Sequence, residues 1–311
     1  MQAQAVTFQA PKHLELRGLE LHAPQVGELE VEIEFSGIST GTERLLWDGT
    51  MPAFPGMGYP LVPGYESVGC VVSAGENTLL KVGSRVFVPG AQCFEGVRNL
   101  FGGSASRLVV QEHRILPVQE HLGANAVLLA LAATAQHALA NQAPPDLIIG
   151  HGVMGRLLAR LSVAAGHAAP TVWELTTSRQ SGGEGYSVIH PNDDSRRDYR
   201  AIYDVSGDSA ILDKAIARQA PGGEVVLAGF YKDFLGFAFA PAFMRETRIR
   251  IAAQWKREDL VVVTALAHSG MLSLAGLITH TEIPAKAAAG YQTAFGDADC
   301  LKMILDWKHN A

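Results

Sequence analysis

The sequence has 311 residues, of which 48% are hydrophobic and 18% charged, a length and composition that suit two globular domains with substantial cores. The formal net charge of −6, with lysines and arginines scattered along the chain, argues against a nucleic-acid partner and favours a small molecule. Three widely separated cysteines, Cys70, Cys93 and Cys300, fit neither a disulfide framework nor a zinc site built from cysteine pairs.

The first residues lack the charged-then-apolar order of a signal peptide. No apolar run reaches the roughly 18 residues that span a bilayer. We therefore expect a cytoplasmic protein without a transmembrane segment, and leave open a peripheral contact with a membrane surface.

Short runs of alternating apolar and polar residues, separated by glycine and proline, dominate the first part of the chain. This alternation predicts an antiparallel, partly barrelled domain. The predicted strands cover residues 29–39, 67–75, 83–91 and 106–118.

An alanine- and leucine-rich segment, residues 123–141, predicts a helix and marks a domain boundary. Beyond it strands alternate with helices, which predicts a doubly wound parallel sheet and an α/β fold. Residues 176–185 are rich in serine, glycine and charge, and predict a solvated surface connection. The last part of the chain returns to strand-like patterns, so we predict one domain from residues 1–122 and 266–311, and a second from residues 123–265.

A glycine-rich turn, IIGHGVMG at residues 148–155, follows a buried strand and opens a helix. This context favours a dinucleotide site, because the glycines allow a tight turn and close approach of the pyrophosphate to the helix N-terminus. Glu174 ends the next apolar strand, where a carboxylate binds the adenosine ribose and favours NAD over NADP, although Arg179 leaves NADP open. The turn residues predicted to bind the cofactor are Gly150, His151, Gly152, Val153, Met154 and Gly155.

Two later strands end in residues that we predict to lie at the carboxyl edge of the same sheet. Ser206 with Gly207, and Gly229 with Phe230, follow the runs AIYDVSG and VVLAGF. The nicotinamide half of the cofactor is expected at that edge. His151 occupies a variable place in the glycine turn, and we interpret it as a solvent-facing loop residue rather than a catalytic one.

Several long motifs carry a family resemblance: GHGVMG in the nucleotide turn, GISTGTERLLWDG at 37–49, FPGMGYPLVPGYESVG at 54–69 and LFGGSASRLVV at 100–110. With them the whole chain resembles the medium-chain dehydrogenase/reductase superfamily, and within it the branch that acts in bacteriochlorophyll biosynthesis. The resemblance implies a GroES-like β-barrel catalytic domain and a Rossmann domain. It also implies oxidation of a 1-hydroxyethyl group on a tetrapyrrole (a chlorin-type macrocycle) to acetyl, with a nicotinamide as hydride acceptor, and a homodimer.

Zinc-dependent members of the superfamily place a metal-binding cysteine and histidine where this chain has Ser39 and Tyr65, in the segments GIS and GYE. Hydroxyl and phenol groups are poor zinc ligands beside thiolate and imidazole. We therefore predict no metal, and the alcohol proton must leave through a general base or relay.

Candidates for that role are the residues that match the family's pocket. We expect Tyr65 to contact the substrate hydroxyl and Glu66 to shape its pKa or the network around it, while a structural role for Glu66 remains an alternative. His137, on the mid-chain helix, is either a packed helix residue or the base. The catalytic candidates are Ser39, Thr42, Tyr65, Glu66 and His137.

The segment LLWDGTMPAFPGMGYP is unusually apolar for a loop. Flat or polarizable side chains suit a tetrapyrrole face, and packing beneath the loop is the alternative. The candidate substrate-binding residues are Trp47, Met51, Phe54, Met57 and Tyr59.

Two other functions remain open. One is a zinc-free reductase of quinones or enones, against which Glu174 counts because such enzymes usually use NADPH. The other is a nucleotide-binding redox sensor that has lost catalysis.

Overall fold

The structure is a computed structural model that describes residues 1–309. It contains two compact units. The first unit is Met1–Ala130 with the chain from Leu277 onward, and the second unit is Leu131–Gly276.

Both boundaries lie later in the chain than the predicted positions 122/123 and 265/266. Glu120–Leu128 forms a 3₁₀ segment that packs on three strands of the first unit, so it stays with that unit. At the other boundary the buried Arg160 donates to the carbonyls of Ser273 and Ala275, both at 2.9 Å, and holds that segment in the second unit.

The first unit is mainly β-structure. Its strands and helix before residue 130 are β1 Gln2–Ala10, β2 His13–Glu20, β3 Glu28–Ile38, α1 Thr42–Asp48, β4 Leu61–Val62, β5 Ser67–Ala74, β6 Arg85–Val88, β7 Arg98–Asn99, β8 Arg107–Gln111 and β9 Leu116–Pro117. The hairpin of β1 and β2 and the short helix α1 were not predicted from the sequence. α1 has only seven residues between two glycines, too few for a helical period to emerge.

The second unit alternates strands and helices. Its elements are α2 Leu129–Leu139, β10 Leu147–Ile149, α3 Val153–Ala164, β11 Thr171–Trp173, β12 Ser187–Ile189, β13 Tyr199–Asp204, α4 Ile211–Arg218, β14 Gln219–Leu227, α5 Phe239–Met244, β15 Arg248–Ile251 and α6 Arg257–His268. The chain then returns to the first unit through β16 His280–Glu282, α7 Ala287–Gly296 and β17 Met303–Asp306.

Strand pairing confirms the predicted fold class. The second unit has one six-stranded parallel sheet in the order β12-β11-β10-β13-β14-β15, which is the doubly wound Rossmann arrangement. The order reverses between β10 and β13, so the carboxyl ends of these strands mark the switch point where ligands bind in such sheets. The first unit has a four-stranded sheet, β2-β1-β4-β7, and a seven-stranded, largely antiparallel sheet that β17 joins next to β3.

One segment, Glu120–Leu139, is long and apolar enough to cross a membrane, with a mean hydropathy of 1.4, which the sequence analysis did not expect. About half of it (56%) is buried within the structure. Gly123 lies at φ 50° and ψ −138°, outside helical geometry, so the α-helix itself begins at Leu129. A spanning helix needs about 20 continuous residues, whereas this α-helix has 11.

Candidate active site

A hydroxyl cluster in the first unit joins three of the predicted catalytic residues. Ser39 follows β3, Thr42 begins α1, and Tyr65 lies between β4 and β5. The Ser39 and Tyr65 hydroxyls are 2.6 Å apart, and the Tyr65 hydroxyl lies 3.5 Å from Thr42 Oγ1. Three hydroxyl groups that can both donate and accept therefore form a short chain with the phenol at its centre.

A buried ion pair lies beside this cluster. Lys302, next to β17, donates from Nζ to Glu66 Oε2 at 2.6 Å and to the carbonyl of Ile38 at 3.1 Å. The side chains of Lys302 and Glu66 are 2% and 0% exposed. Gly37 makes room for the pair, since a Cβ there would lie 2.3 Å from Glu66 Oε2. Glu66 is thus committed to a lysine that no local sequence pattern indicated.

A second buried carboxylate, Glu43, lies on α1. The Tyr291 hydroxyl donates to its Oε2 at 2.6 Å, and the Ser39 backbone N–H donates to its Oε1 at 3.2 Å. Burial, opposed by the Tyr291 hydrogen bond and reinforced by the Glu66 charge, raises the pKa of Glu43 to about 8. Glu43 is therefore mostly protonated at neutral pH, which spares the site a second buried negative charge.

The phenol of Tyr65 is held in its neutral form. Burial, and then the negative charge of Glu66, raise the pKa of Tyr65 well above its ordinary value. The hydrogen bonds from Ser39 and Thr42 oppose that shift without cancelling it. At neutral pH Tyr65 is a hydrogen-bond donor and acceptor rather than a phenolate.

The residues at this position do not fit a zinc site. Ser39 and Tyr65 are hydrogen-bonded to each other, and the nearby Glu66 is paired with an ammonium group. Zinc in proteins takes thiolate, imidazole or carboxylate ligands. Within residues 1–309, no three histidine, cysteine, aspartate or glutamate side chains are grouped closely enough to hold a metal ion.

Four of the five predicted substrate-binding side chains, which lie in α1 and the loop after it, pack partly into the core of the first unit. Trp47 stacks on Tyr291 with ring centroids 6.3 Å apart and meets Phe8 edge-on at 5.6 Å. Met51, Met57 and Tyr59 also pack, partly buried, against this core. Of the five predicted substrate-binding residues Phe54 is the most exposed, at 38%. The packing of the other four fits the alternative considered from the sequence, and their contact with substrate stays a prediction.

An aromatic side chain that the sequence analysis did not single out lies against the hydroxyl cluster. Phe101 meets the Tyr65 ring edge-on, with centroids 5.3 Å apart, and is 38% exposed. It lies within the motif LFGGSASRLVV, which carried the family resemblance but no specific role. Its exposed ring offers an apolar surface next to the phenol.

In the second unit, the glycine turn has the geometry that a pyrophosphate requires. Gly150 directly follows β10 with φ 103°, and Gly152 caps α3, whose first residues are Val153 and Met154. A Cβ on Gly155 would lie 1.9 Å from the Gly150 carbonyl oxygen, so the helix and turn can approach only at a glycine. A Cβ on Gly152 would meet nothing within 4 Å, which leaves open space at the helix N-terminus.

The Glu174 carboxylate sits beside this turn and is fixed by backbone donors. His151 N–H donates to its Oε2 at 3.0 Å, and Thr176 N–H to its Oε1 at 2.8 Å. The side chain is almost buried. Each oxygen keeps lone-pair capacity for a further donor, such as a ribose hydroxyl.

The interpretation of His151 as a solvent-facing residue is wrong, because the structure buries it completely. Its imidazole contacts the loop of residues 176–186 instead: Nδ1 lies 2.6 Å from the Arg179 carbonyl and Nε2 lies 2.9 Å from the Tyr186 hydroxyl. Arg179 meets the turn through this backbone carbonyl, while its side chain is partly exposed.

The predicted nicotinamide-side residues lie together after β13 and β14. Ser206 follows β13 and donates from Oγ to Asp204 Oδ1 at 2.7 Å. Gly229 N–H donates to the Asp204 carbonyl at 3.1 Å, and Phe230 is 54% exposed. Gly207, at φ 72°, continues the turn after Ser206.

The Asp204 side chain and carbonyl accept hydrogen bonds from several residues at this carboxyl edge of the sheet. Neither Asp204 nor its partner Tyr231 was predicted from the sequence. The Tyr231 hydroxyl donates to Asp204 Oδ2 in a short hydrogen bond. Burial raises the pKa of Asp204, and these donors act against that shift. An aspartate at a strand end could have been noted, but nothing local in the sequence indicates its tyrosine partner.

His137 lies apart from the glycine turn, on α2. Its Nδ1 is 2.8 Å from Asp259 Oδ2. The same carboxylate oxygen accepts a hydrogen bond from the backbone N–H of Lys256, the residue just before α6. The carboxylate therefore caps a helix as well as pairing with the histidine. This arrangement supports the interpretation of His137 as a packed helix residue.

Comparisons with known proteins agree with this architecture. A family model of the alcohol dehydrogenase GroES-like domain matches residues 25–120. An alcohol dehydrogenase from Escherichia coli CFT073, solved with NADH, superposes with a TM-score of 0.83 at 21% identity and covers 98% of this chain and 99% of its own. This likeness shows the fold.

Two curated relatives are much more similar in sequence. A protein of Cereibacter sphaeroides is 54% identical, with 100% of both chains covered, and one of Rhodobacter capsulatus is 55% identical, with 99% of both covered. Both are named 2-desacetyl-2-hydroxyethyl bacteriochlorophyllide A dehydrogenase. The chain therefore belongs to the medium-chain dehydrogenase/reductase superfamily, in the branch formed with these bacteriochlorophyllide dehydrogenases.

Proposed function

We propose that this protein oxidises the 3-(1-hydroxyethyl) side chain of a bacteriochlorophyllide to an acetyl group, with NAD as the hydride acceptor. The observation that carries the proposal is the end-to-end identity of 54% and 55% to the two bacteriochlorophyllide dehydrogenases. In the balanced reaction the carbinol carbon loses a hydride, its hydroxyl loses a proton, and ketone, NADH and a proton are formed.

The second unit supplies the cofactor residues. Gly150, Gly152 and Gly155 shape the open space at the N-terminus of α3 that suits a pyrophosphate. Ser206 and Gly229, at the carboxyl edge of the sheet, suit the nicotinamide half. When bound, the nicotinamide accepts the hydride.

Selectivity for NAD over NADP follows from Glu174. Its carboxylate is nearly buried and held by two backbone N–H groups, so it cannot easily swing away. A 2′-phosphate on the adenosine ribose would meet this negative charge, whereas two ribose hydroxyls would donate to it. We therefore propose NAD as the working cofactor.

In the first unit, we propose that Tyr65 contacts the substrate hydroxyl. The raised pKa keeps the phenol protonated, so Tyr65 acts as a relay: it takes the hydroxyl proton as its own proton passes to Ser39, 2.6 Å away. Ser39 in turn gives its hydroxyl proton to a solvent water, and this is the proton released in the overall reaction. Thr42 offers a second, longer path at 3.5 Å. The buried ion pair of Glu66 and Lys302 acts electrostatically on the chain of hydroxyl groups formed by Ser39, Tyr65 and Thr42.

The macrocycle itself needs an apolar surface close to Tyr65. Phe101 meets the Tyr65 ring, and Phe54 lies in the apolar loop after α1; both are 38% exposed, and we propose that they contact the tetrapyrrole. Four other apolar side chains pack, partly buried, against the core of the first unit: Trp47, Met51, Met57 and Tyr59. The substrate-binding role predicted for these four from the sequence stays a prediction.

We further propose that the protein is cytoplasmic and pairs as a homodimer. β15 is the edge strand of its sheet and exposes Ile251 at 77%. The neighbouring α5 exposes Phe239, Phe243 and Met244 at 66–77%. An open edge beside exposed apolar side chains is usually covered in a soluble protein, and light scattering of the purified protein would give its mass.

Deuterium at the carbinol carbon tests the reaction type. The proposal expects one deuterium per turnover on the reduced nicotinamide and an acetyl product that has lost one hydrogen and one deuterium. Deuterium released to water would contradict hydride transfer. A chain that only reduced quinones or enones with NADPH would be the zinc-free reductase considered from the sequence.

A further inference from the structure

The loop of residues 176–186 is exposed on the surface, as predicted, yet its backbone is fixed by hydrogen bonds from the Arg156 side chain. The side chain of Arg156, on α3, donates four hydrogen bonds to backbone carbonyl oxygens. The acceptors are His151 at 3.1 Å, Arg179 at 3.1 Å, Ser181 at 2.9 Å and Gly182 at 3.1 Å. The Arg156 side chain is nearly buried. A guanidinium that satisfies so many loop carbonyls is unavailable to a phosphate group of a ligand.

The imidazole of His151 makes the second set of contacts to this loop. A carbonyl oxygen can only accept, so Nδ1, 2.6 Å from the Arg179 carbonyl, carries the proton. Nε2 is then the acceptor for the Tyr186 hydroxyl at 2.9 Å. Burial lowers the pKa of His151 to about 4, which agrees with a neutral ring in this one tautomer.

The backbone N–H of His151 also contacts the carboxylate of Glu174, the proposed ribose-binding residue. His151 N–H donates to Glu174 Oε2, and Thr176, the first residue of the loop, donates to Oε1. The Gln180 side chain donates to the Glu174 carbonyl at 2.9 Å. The glycine turn, Glu174 and the loop are thus joined through His151 into one hydrogen-bonded assembly.

We propose that His151, with Tyr186, is a positioning pair that fixes the loop and Glu174 for the adenosine half of the cofactor and so sets both the affinity for NAD and its preference over NADP. The inference rests on the proposed use of a nicotinamide dinucleotide. It adds that the residue between the first two glycines, often variable in such turns, is a determinant of cofactor binding in this chain.

The physical reason is preorganisation. A carboxylate that is already fixed by the turn loses little freedom when ribose hydroxyls donate to it. Without the ring contacts the loop keeps its hydrogen bonds to Arg156 but loses its contacts to His151, so Thr176 and the Glu174 carboxylate gain freedom. Loss of one such hydrogen bond corresponds to a change of about tenfold in affinity.

The test is calorimetric titration of the full-length protein with ADP-ribose and with NAD. Tyr186→Phe removes one hydroxyl and keeps the ring, so it should fold normally; His151→Phe removes both ring hydrogen bonds. We expect about tenfold weaker ADP-ribose binding for Tyr186→Phe and a larger loss for His151→Phe, with a narrower preference for NAD over NADP. In turnover, the KM for NAD should rise more than kcat falls.

Ser178→Ala is the matched control, because Ser178 is an exposed residue of the same loop. It should bind ADP-ribose as the unmodified chain does. Folded Tyr186→Phe with affinity within about twofold of the unmodified chain would overturn the inference. An unmodified chain that binds neither NAD nor ADP-ribose would instead overturn the proposed cofactor itself, and the two failures are thereby distinguished.

Discussion

Removal of the Lys302 ammonium should destabilise the first unit strongly. Lys302→Met leaves the Glu66 carboxylate fully buried, with Oε1 already lacking a hydrogen-bond partner within the described residues and with Glu43 close by. Breaking a buried ion pair at one partner costs about 3–5 kcal/mol, because the remaining charge is desolvated and unpaired. We expect a loss of that size in the free energy of unfolding.

The double variant Lys302→Met with Glu66→Gln separates this explanation from simple loss of packing. The neutral amide removes the stranded charge, so the double variant should be more stable than the sum of the two single changes predicts, by about 2 kcal/mol or more. Urea unfolding at neutral pH, followed by circular dichroism and tryptophan fluorescence, measures each step.

Glu32→Gln is the control, because Glu32 pairs with Arg107 at 3.2 Å on the same sheet but is 56% exposed. An exposed pair contributes about 1 kcal/mol at most, so this variant should unfold almost as the unmodified chain does. A loss below about 1 kcal/mol for Lys302→Met, or strict additivity in the double variant, would refute the argument from a buried uncompensated charge.

Five further substitutions test the two sites. Gly152→Val should abolish NAD binding with stability unchanged, because its Cβ enters open space. Gly155→Val should unfold the turn, because its Cβ would lie 1.9 Å from the Gly150 carbonyl oxygen. Titration with NAD and thermal unfolding check both variants, and a Gly152→Val chain that binds NAD normally would contradict the phosphate assignment. Glu174→Ala should weaken NAD binding and relax discrimination against NADP, and unchanged selectivity would contradict its role. Tyr65→Phe should lower kcat by about 10²-fold or more at unchanged NAD affinity, and a full-rate variant would remove the phenol from the mechanism. The pKa of Glu43 rises from 4.5 to about 8 on folding, so between those values the unfolded chain loses a proton that the folded chain keeps. Stability should therefore fall as pH rises through this window, by at most about 1.4 kcal/mol per pH unit, and Glu43→Gln should remove the slope in unfolding curves; an equal slope in both chains would contradict the shift.

The cofactor half of the site was predictable because its parts are local in sequence. A strand, a glycine turn, a helix and an acidic strand end occur within one βαβ unit, and the structure places Gly150, Gly152, Gly155 and Glu174 together. Parallel pairing of β10, β11 and β13 brings the ends of separate strands to one edge, which general sheet topology anticipates. The alternation of strands and helices predicted a doubly wound parallel sheet, but neither its strand order nor the edge strand β15.

The catalytic half was only partly predictable. Ser39, Tyr65 and Glu66 came from motif positions, but their partners come from distant parts of the chain. Lys302 is 236 residues from Glu66, and Tyr291 is 248 residues from Glu43. No periodicity or short motif encodes a contact at that separation. The pairing of β17 with β3 brings Lys302 to Glu66, and Tyr291 reaches Glu43 from α7.

The interpretation of His151 as solvent-facing was wrong for another physical reason, which also bears on the apolar loop. A polar side chain in a glycine turn suggests solvent, yet its ring is buried by a loop whose sequence looks flexible. Similarly, an apolar loop suggests a ligand surface, but Trp47 finds its partners in Phe8 and Tyr291 within the protein. In both cases burial was decided by segments far from the motif.

The most direct test of the account is conversion of a bacteriochlorophyllide with a 3-(1-hydroxyethyl) group by purified protein of measured metal content, with NAD and NADP supplied separately. The absorbance spectrum of the macrocycle follows formation of the conjugated acetyl group. The account predicts conversion with NAD, markedly less with NADP, and no dependence on zinc. Conversion that requires stoichiometric zinc would contradict the hydroxyl relay, and bound NAD without any conversion would contradict the proposed reaction.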